Sequence, residues 1–171
     1  MEMNKLYFWT ATIRNWIQIF DKKQNIDIVL SSLNYLSNKE LLSIYGFVIM
    51  PNHIHFILKM NSLNGKEKPV GSFLKYTSHE ILKNMKEANN ELNIFEVNTN
   101  RKKYEIWQEN PLAIELYSTD VIYQKLDYIH NNPVKEKWSL SPTPKEYLYS
   151  SANYYINGIK DFEFLNDIRT I

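Results

Sequence analysis

Nine residues, Met50-Pro51-Asn52-His53-Ile54-His55-Phe56-Ile57-Leu58, constrain this chain more than any others: two histidines separated by one large apolar residue, inside an apolar run. Side chains alternate across a strand, so His53 and His55 share one face while Ile54 takes the other. The two imidazoles then stand about 7 Å apart along the strand. Such a pair is either half of a metal site or two polar positions on a wet sheet face. Pro51-Asn52 reads as a tight turn that sets where the pair begins. A second stretch, Asp127-Tyr128-Ile129-His130-Asn131-Asn132-Pro133-Val134, gains meaning only if the fold brings it to the first.

With 171 residues, 44% of them hydrophobic, the chain is expected to form one domain with a real core. It has no cysteine, so any metal must be held by histidine, carboxylate, amide or water. No apolar run approaches the roughly 20 residues of a membrane span, and the N-terminus lacks a signal-peptide pattern. A soluble, cytoplasmic protein with no membrane partner is the expectation. The net charge is only +1, less than a nucleic-acid-binding chain usually carries. Basic residues gather locally instead, at Lys75, Lys83 and Lys86, Arg101-Lys102-Lys103, and Lys135 and Lys137.

Leu6–Ile13 is rich in aromatic and β-branched residues and predicts a strand. Ile26–Ser37 carries apolar residues at helical spacing. Leu42–Ile49 predicts a second strand, and His53–Met60 a third running back antiparallel to it. Asn61–Pro69 is polar and predicts a loop; Val70–Ala88 predicts an amphipathic helix. Asn89–Lys103 is charge-rich and predicts a connector, followed by one or two strands in Tyr104–Gln108 and Leu112–Tyr117. Ser118 offers an N-cap for a helix over Val121–His130, and Pro133 sets its end. The tail, with Tyr147, Tyr149, Tyr154 and Tyr155, predicts one more helix. The order strand–helix–strand–strand–helix–strand points to an α+β fold of the ferredoxin-like kind, an antiparallel sheet with helices packed on one face.

On the helix before Pro133, Ile122, Leu126 and Ile129 form the apolar stripe, while Tyr128 and Asn132 share a face displaced from it. A tyrosine there can be aimed at the histidine pair, with the Asn132 amide oxygen in reach of the same ion. Two histidines and one amide leave coordination positions open, as a catalytic metal requires. A phenol is a poor nucleophile at neutral pH unless the reaction helps it, and a metal on a phosphodiester neutralises charge and orients the phosphorus. A phosphotyrosine product conserves the energy of the broken bond, so strand exchange needs no ATP. His130 points away from Tyr128 by about 200° around the helix and is not assigned as a ligand. His79 reads as a surface residue.

MPNHIHFIL followed some 70 residues later by LDYIHNNPVKEKW resembles the single-tyrosine HUH transposases, specifically the REP-associated tyrosine transposases. Trp107-Gln108 before the tyrosine helix and Tyr149-Ser150-Ser151 after it match as well. The resemblance implies that His53 and His55 are metal ligands and that Asn132 stands where the family places a polar ligand. It implies that Tyr128 is the nucleophile, leaving a 5′-phosphotyrosine and a free 3′-OH. The implied cofactor is a divalent metal, Mg²⁺ or Mn²⁺; the implied partner is single-stranded DNA beside a hairpin. Swapped dimers and single-chain sites both occur among such enzymes, so a homodimer is compatible. Arg14, Lys75, Lys83, Arg101, Lys102 and Lys103 are the candidate DNA contacts if they line one groove. The alternative is a non-catalytic module binding single-stranded nucleic acid through sheet aromatics such as Tyr7 and Trp9. A relaxase or replication initiator with the same triplet, and a hydrolase whose metal-bound water attacks, are further rivals.

Overall fold

A computed structural model describes residues 1–88, 92–97, 99 and 102–171. Its core is a four-stranded antiparallel sheet of β1 (Leu6–Thr12), β2 (Leu42–Met50), β3 (His53–Met60) and β4 (Leu112–Glu115), in the order β2-β3-β1-β4. Between them run α1 (Lys23–Asn38), α2 (Pro69–Glu87), and after β4 come α3 (Thr119–Asn131) and α4 (Ala152–Asn157). The α+β, ferredoxin-like order read from the sequence is therefore the observed one. β2 and β3 join through the two residues Pro51 and Asn52, with Met50 paired to His53. Tyr104–Gln108 is not a strand of the sheet: its bridges, Glu96–Tyr104 and Ile13–Trp107, are isolated ones, although Ile106 and Trp107 pack into the core.

The helices lie on both faces rather than one. Trp9, Ala11, Ile54, Phe56 and Leu58 point into a core shared with α1 and α2, built on Val29, Leu33, Phe73 and Ile81. Phe8, Tyr45, Val48, Met50 and Ile57 point the other way and pack under Leu126 and Ile129 of α3. Each fully buried aliphatic side chain contributes about 1.5–3 kcal/mol. Both faces of β3 are thus covered, which is why its sequence is apolar almost throughout.

One irregularity brings α3 down onto the sheet. Ile44 pairs with Leu58 but Gly46 pairs with Ile57, a β-bulge that places Tyr45 and Gly46 together on the α3 side. A Cβ on Gly46 would sit 2.7 Å from Leu126 Cδ1. The bulge also rephases β2, so that Leu42 and Ile44 before it, and Phe47 and Ile49 after it, all face α1 and α2.

The C-terminal segment closes the free edge of β2, a strand that would otherwise expose unpaired backbone. Ile49 N–H donates to the Tyr149 carbonyl at 2.9 Å, Ser151 N–H to Phe47 O at 3.0 Å, and Asn166 N–H to Ile44 O at 2.7 Å. Tyr147 and Tyr155 hydroxyls donate to the carbonyls of Ile49 and Tyr45, at 2.7 and 2.5 Å. The Ser151 hydroxyl meets Phe47 N at 3.0 Å and His130 Nε2 of α3 at 2.8 Å, tying strand, tail and helix at one point. Among the described residues no helix is long and apolar enough to cross a membrane.

Gly46→Val is expected to lower unfolding free energy by about 1–3 kcal/mol through overpacking against Leu126. Urea denaturation reads the loss directly, and an unchanged midpoint would show that α3 does not rest on this residue.

Candidate active site

The histidine pair is not on a wet face. His53 is 8% exposed and His55 5%, enclosed by α3 and the segment that follows it. Their ring centroids are 4.7 Å apart, closer than the backbone step because the imidazoles lean together. β3 is a central strand, so its neighbours fix both rings. Thr10, opposite His55 on β1, places its hydroxyl 2.7 Å from His55 Nδ1. Asn52 Oδ1 lies 2.7 Å from His53 Nδ1. The Asn52 amide nitrogen donates to the Trp16 carbonyl at 3.0 Å, so its oxygen is the atom that accepts from His53.

Those contacts settle which nitrogens are left. With Nδ1–H of His53 donated to Asn52, its Nε2 carries a lone pair, and Asn132 Nδ2 approaches it at 3.4 Å. His55 Nε2 is buried with no hydrogen-bond partner. Were it protonated, a buried N–H would stand unsatisfied at a cost of about 1–3 kcal/mol. The better assignment puts the proton on Nδ1, donated to Thr10, and leaves a second lone pair on Nε2. Asn132, 3% exposed at the C-cap of α3, can present its oxygen in place of its nitrogen by a half-turn of the amide. The set is two imidazole Nε2 atoms and one amide oxygen, each imidazole oriented by a partner on its other nitrogen. Metal-binding histidines are held in this way. Among the described residues no group of three His, Cys, Asp or Glu side chains forms a rival metal site.

Tyr128 completes the cluster from α3. Its ring meets His55 edge-on at 5.3 Å and Phe8 at 5.8 Å, while Phe8 stacks on His55 at 5.2 Å. Tyr128 remains 40% exposed, so one side of the phenol faces solvent and the other His55 and Phe8. Ser118 caps α3 by accepting from Val121 N–H at 3.4 Å, and the buried stripe of Leu126 and Ile129 fixes the rotation that aims Tyr128. The tyrosine meets His55 of its own chain, so the cluster forms within one chain.

Positive charge surrounds this cluster. Lys135 Nζ lies 4.0 Å from the Tyr128 ring centroid, and Lys125 Nζ 5.9 Å from it. Burial, with the charges of Lys137 and Lys135, lowers the pKa of His53 to about 4. Burial, with His53, Lys135 and Lys125, lowers that of His55 to about 3. Both rings are neutral at physiological pH, the form that binds a metal. Lys125, Lys135 and Lys137 were absent from the DNA contacts proposed from sequence, although Lys135 and Lys137 stood out there as a local basic pair; for Lys125 the signal was its helical spacing to Tyr128, three apart.

The other sequence candidates lie elsewhere. Arg14 and Lys102 both pair with Glu105, which is only 7% exposed, and Lys102 also meets Glu109 at 3.3 Å. Lys75 pairs with Glu67 at 2.9 Å on α2, the helix on the far face of the sheet. Lys83 is on the same helix, and Lys103 lies 4.0 Å from Glu96. Lys75 and Lys102 share a cleft with Tyr104 and Gln108, away from the histidines. Arg101 lies outside the described residues. His79 is on the surface beside Glu80, and His130 is buried against Ser151, with its pKa lowered to about 4 by burial. Tyr7 and Trp9 are 6% and 2% exposed, Trp9 stacked on Phe56, so neither offers a face to a base.

No protein-family model matches the chain, and no curated protein matches it. Among solved structures, a REP-associated tyrosine transposase bound to a REP hairpin shares its fold, with a TM-score of 0.63 and 16% identity. The match covers 98% of this chain and 88% of that one.

A histidine whose folded pKa lies below the free value of about 6.5 leaves the unfolded chain to bind protons first. Stability is therefore full above about pH 6.5 and falls as pH drops toward 4. His53, His55 and His130 each add up to about 1.4 kcal/mol per pH unit to that slope. Denaturant midpoints at pH 7.5 and 5.0 measure it, and His130→Asn should flatten the slope by about one proton. A flat profile would contradict buried neutral imidazoles.

Proposed function

We propose that this chain is a metal-dependent endonuclease and strand transferase of single-stranded DNA, a transposase in which Tyr128 is the nucleophile. The observation that carries the reading is the packing of Tyr128 on His55, one of two buried imidazoles whose ring centroids are 4.7 Å apart. His55 Nε2 is buried without a partner, which is costly, and a phenol left half in solvent beside it has no structural need to be there. The shared fold with a transposase that was bound to a DNA hairpin supports the same reading.

In this scheme Lys125 and Lys135 draw a phosphodiester to the Tyr128 side of the cluster, while Lys137 stands on the Trp138 side. The Tyr128 oxygen attacks phosphorus in line with the 3′-oxygen, forming a P–O bond to tyrosine and breaking the P–O3′ bond. The phenol proton is released to solvent and the departing 3′-oxygen takes one up, leaving a 5′-phosphotyrosine and a free 3′-OH. Attack by a 3′-OH reverses the step and joins strands with no external energy source. His53, His55 and Asn132 would hold a divalent cation, Mg²⁺ or Mn²⁺, which when bound supplies charge neutralisation at the phosphate. Imidazole nitrogens favour Mn²⁺ over Mg²⁺, so Mn²⁺ is expected to be at least as effective. The substrate is a single strand beside a hairpin. The burial of Tyr7 and Trp9 weighs against the alternative of a stacking module on the sheet face.

Labelled hairpin oligonucleotides from sequence flanking the gene, mixed with protein and Mn²⁺ on a denaturing gel, test this. Wild type should give a protein-linked band that Tyr128→Phe and EDTA both abolish. His55→Ala should lower its rate on the order of 100-fold or more. Cleavage that persists in Tyr128→Phe, or a linked band formed in EDTA, would overturn the proposal.

Thr10→Val removes the partner of His55 Nδ1 and should weaken Mn²⁺ binding about 10–100-fold in calorimetry while the fold is kept. Unchanged affinity would mean that the Thr10 contact does not orient a ligand.

A further inference from the structure

Beside His53, on the side away from Tyr128, lies a cleft of about 370 Å³ bordered by Trp16, Gln18, Asp21, Asn52, Lys137 and Trp138. Two indoles border it, and both also face the His53 ring, with centroids at 6.4 Å for Trp16 and 5.7 Å for Trp138. Trp16 is 57% exposed, although it is one of the largest apolar side chains available. The backbone that presents it is unusual: Asn15 has φ 55° and Trp16 φ 57°, both left-handed and neither a glycine. Such conformations persist only where the surroundings hold them.

The surroundings do hold them. Ile13 N–H donates to Asn52 O and Arg14 N–H to Ile106 O, both at 2.8 Å, and the Arg14 guanidinium pairs with buried Glu105. Asn52 then bridges the loop to the site, its amide nitrogen on the Trp16 carbonyl and its oxygen on His53 Nδ1. The residue that orients the first imidazole thus also places the indole. A loop strained, anchored and tied to a candidate ligand, yet ending in an exposed indole, has the form of a binding surface.

We propose that this cleft seats an unstacked base of the DNA strand, next to the phosphate held at Tyr128; the assignment rests on the reading of the histidine cluster as a nuclease centre. The chemistry of the lining favours a base over a second phosphate. The Asp21 carboxylate repels an anion, whereas Asp21, Gln18 and Asn52 offer the acceptors and donors that a base edge needs, and the indoles offer faces for stacking. Lys137, at the boundary between cleft and histidines, suits the phosphate that links the seated base to the reacting one. Arg14 serves here as an anchor of the Trp16 loop rather than as a DNA contact.

The test compares dT12 with a 12-residue abasic strand of the same charge, in fluorescence anisotropy with Tyr128→Phe protein so that no covalent step intervenes. The dT12 strand should bind about 10–100-fold tighter than the abasic strand. Trp16→Ala should erase most of that preference without weakening abasic binding, and Trp16→Phe should restore it. Trp16 is exposed, so these variants should keep their melting temperature; Trp138→Ala is unsuitable alone because that ring also packs on the core. Equal loss for both strands in Trp16→Ala, no loss at all, or binding of neither strand by the parent protein would each overturn the base site. If wild type still forms the covalent adduct while Trp16→Ala keeps the full dT12 preference, the base site fails and the nuclease reading stands. If dT12 is preferred through Trp16 but no adduct ever forms, the base site stands and the nuclease chemistry fails.

Discussion

Two neutral imidazoles, buried side by side with one nitrogen each committed and one left over, are the constraint around which the rest is arranged. Burial keeps them uncharged at neutral pH, and the hydrogen bonds their Nδ1–H groups donate to Thr10 and Asn52 decide which nitrogen is left. A sheet face that only needed covering would carry aliphatic residues here, as it does one step along at Ile57. Placing histidines there forgoes hydrophobic burial and leaves His55 Nε2 without a partner. That local cost is set into a face otherwise packed as core, and it is the basis on which a function is proposed for the position.

The second constraint is the approach of α3. Tyr128 comes near His55 only because the helix can settle closely on β2, and Gly46 in the bulge provides the room. The His130–Ser151–Phe47 junction then ties the helix to the strand from its far side. The tail supplies Ser151 and also covers the outer edge of β2. One end of α3 is fixed by a cap and the other by this junction, which leaves the tyrosine between them well placed and still reachable from solvent. Charge is local in the same way: a chain of net charge +1 gathers three lysines around one tyrosine and one histidine pair.

Much of this was legible in the residues. Alternation in HIHFILKM placed the two histidines on one face, and the spacing of Ile122, Leu126 and Ile129 placed Tyr128 beside the buried stripe. The fold class followed from the succession of elements. Less legible were features set by contacts distant in sequence. Apolar residues on both faces of β2 and β3 meant helices on both sides, a sign in the pattern that a one-face arrangement overlooks. Tyr104–Gln108 has strand-forming residues but meets no partner long enough to make a ladder. Arg14 looked free in sequence because its acidic partner, Glu105, is brought to it only by the fold, whereas Lys75 and Lys102 pair with Glu67 and Glu105 nearby in the chain. The Trp16 loop could not be foreseen, since Asn15 and Trp16 carry no glycine to announce a left-handed turn.

The most direct measurement is peptide mapping by mass spectrometry after reaction with a hairpin oligonucleotide interrupted just past the scissile phosphate, so that re-joining is blocked. The account predicts one modified peptide, the one containing Tyr128, heavier by the 5′-phosphorylated nucleotide and fragmenting to place the mass on that phenol. Attachment at any other residue, or cleaved DNA with every tyrosine unmodified, would contradict it.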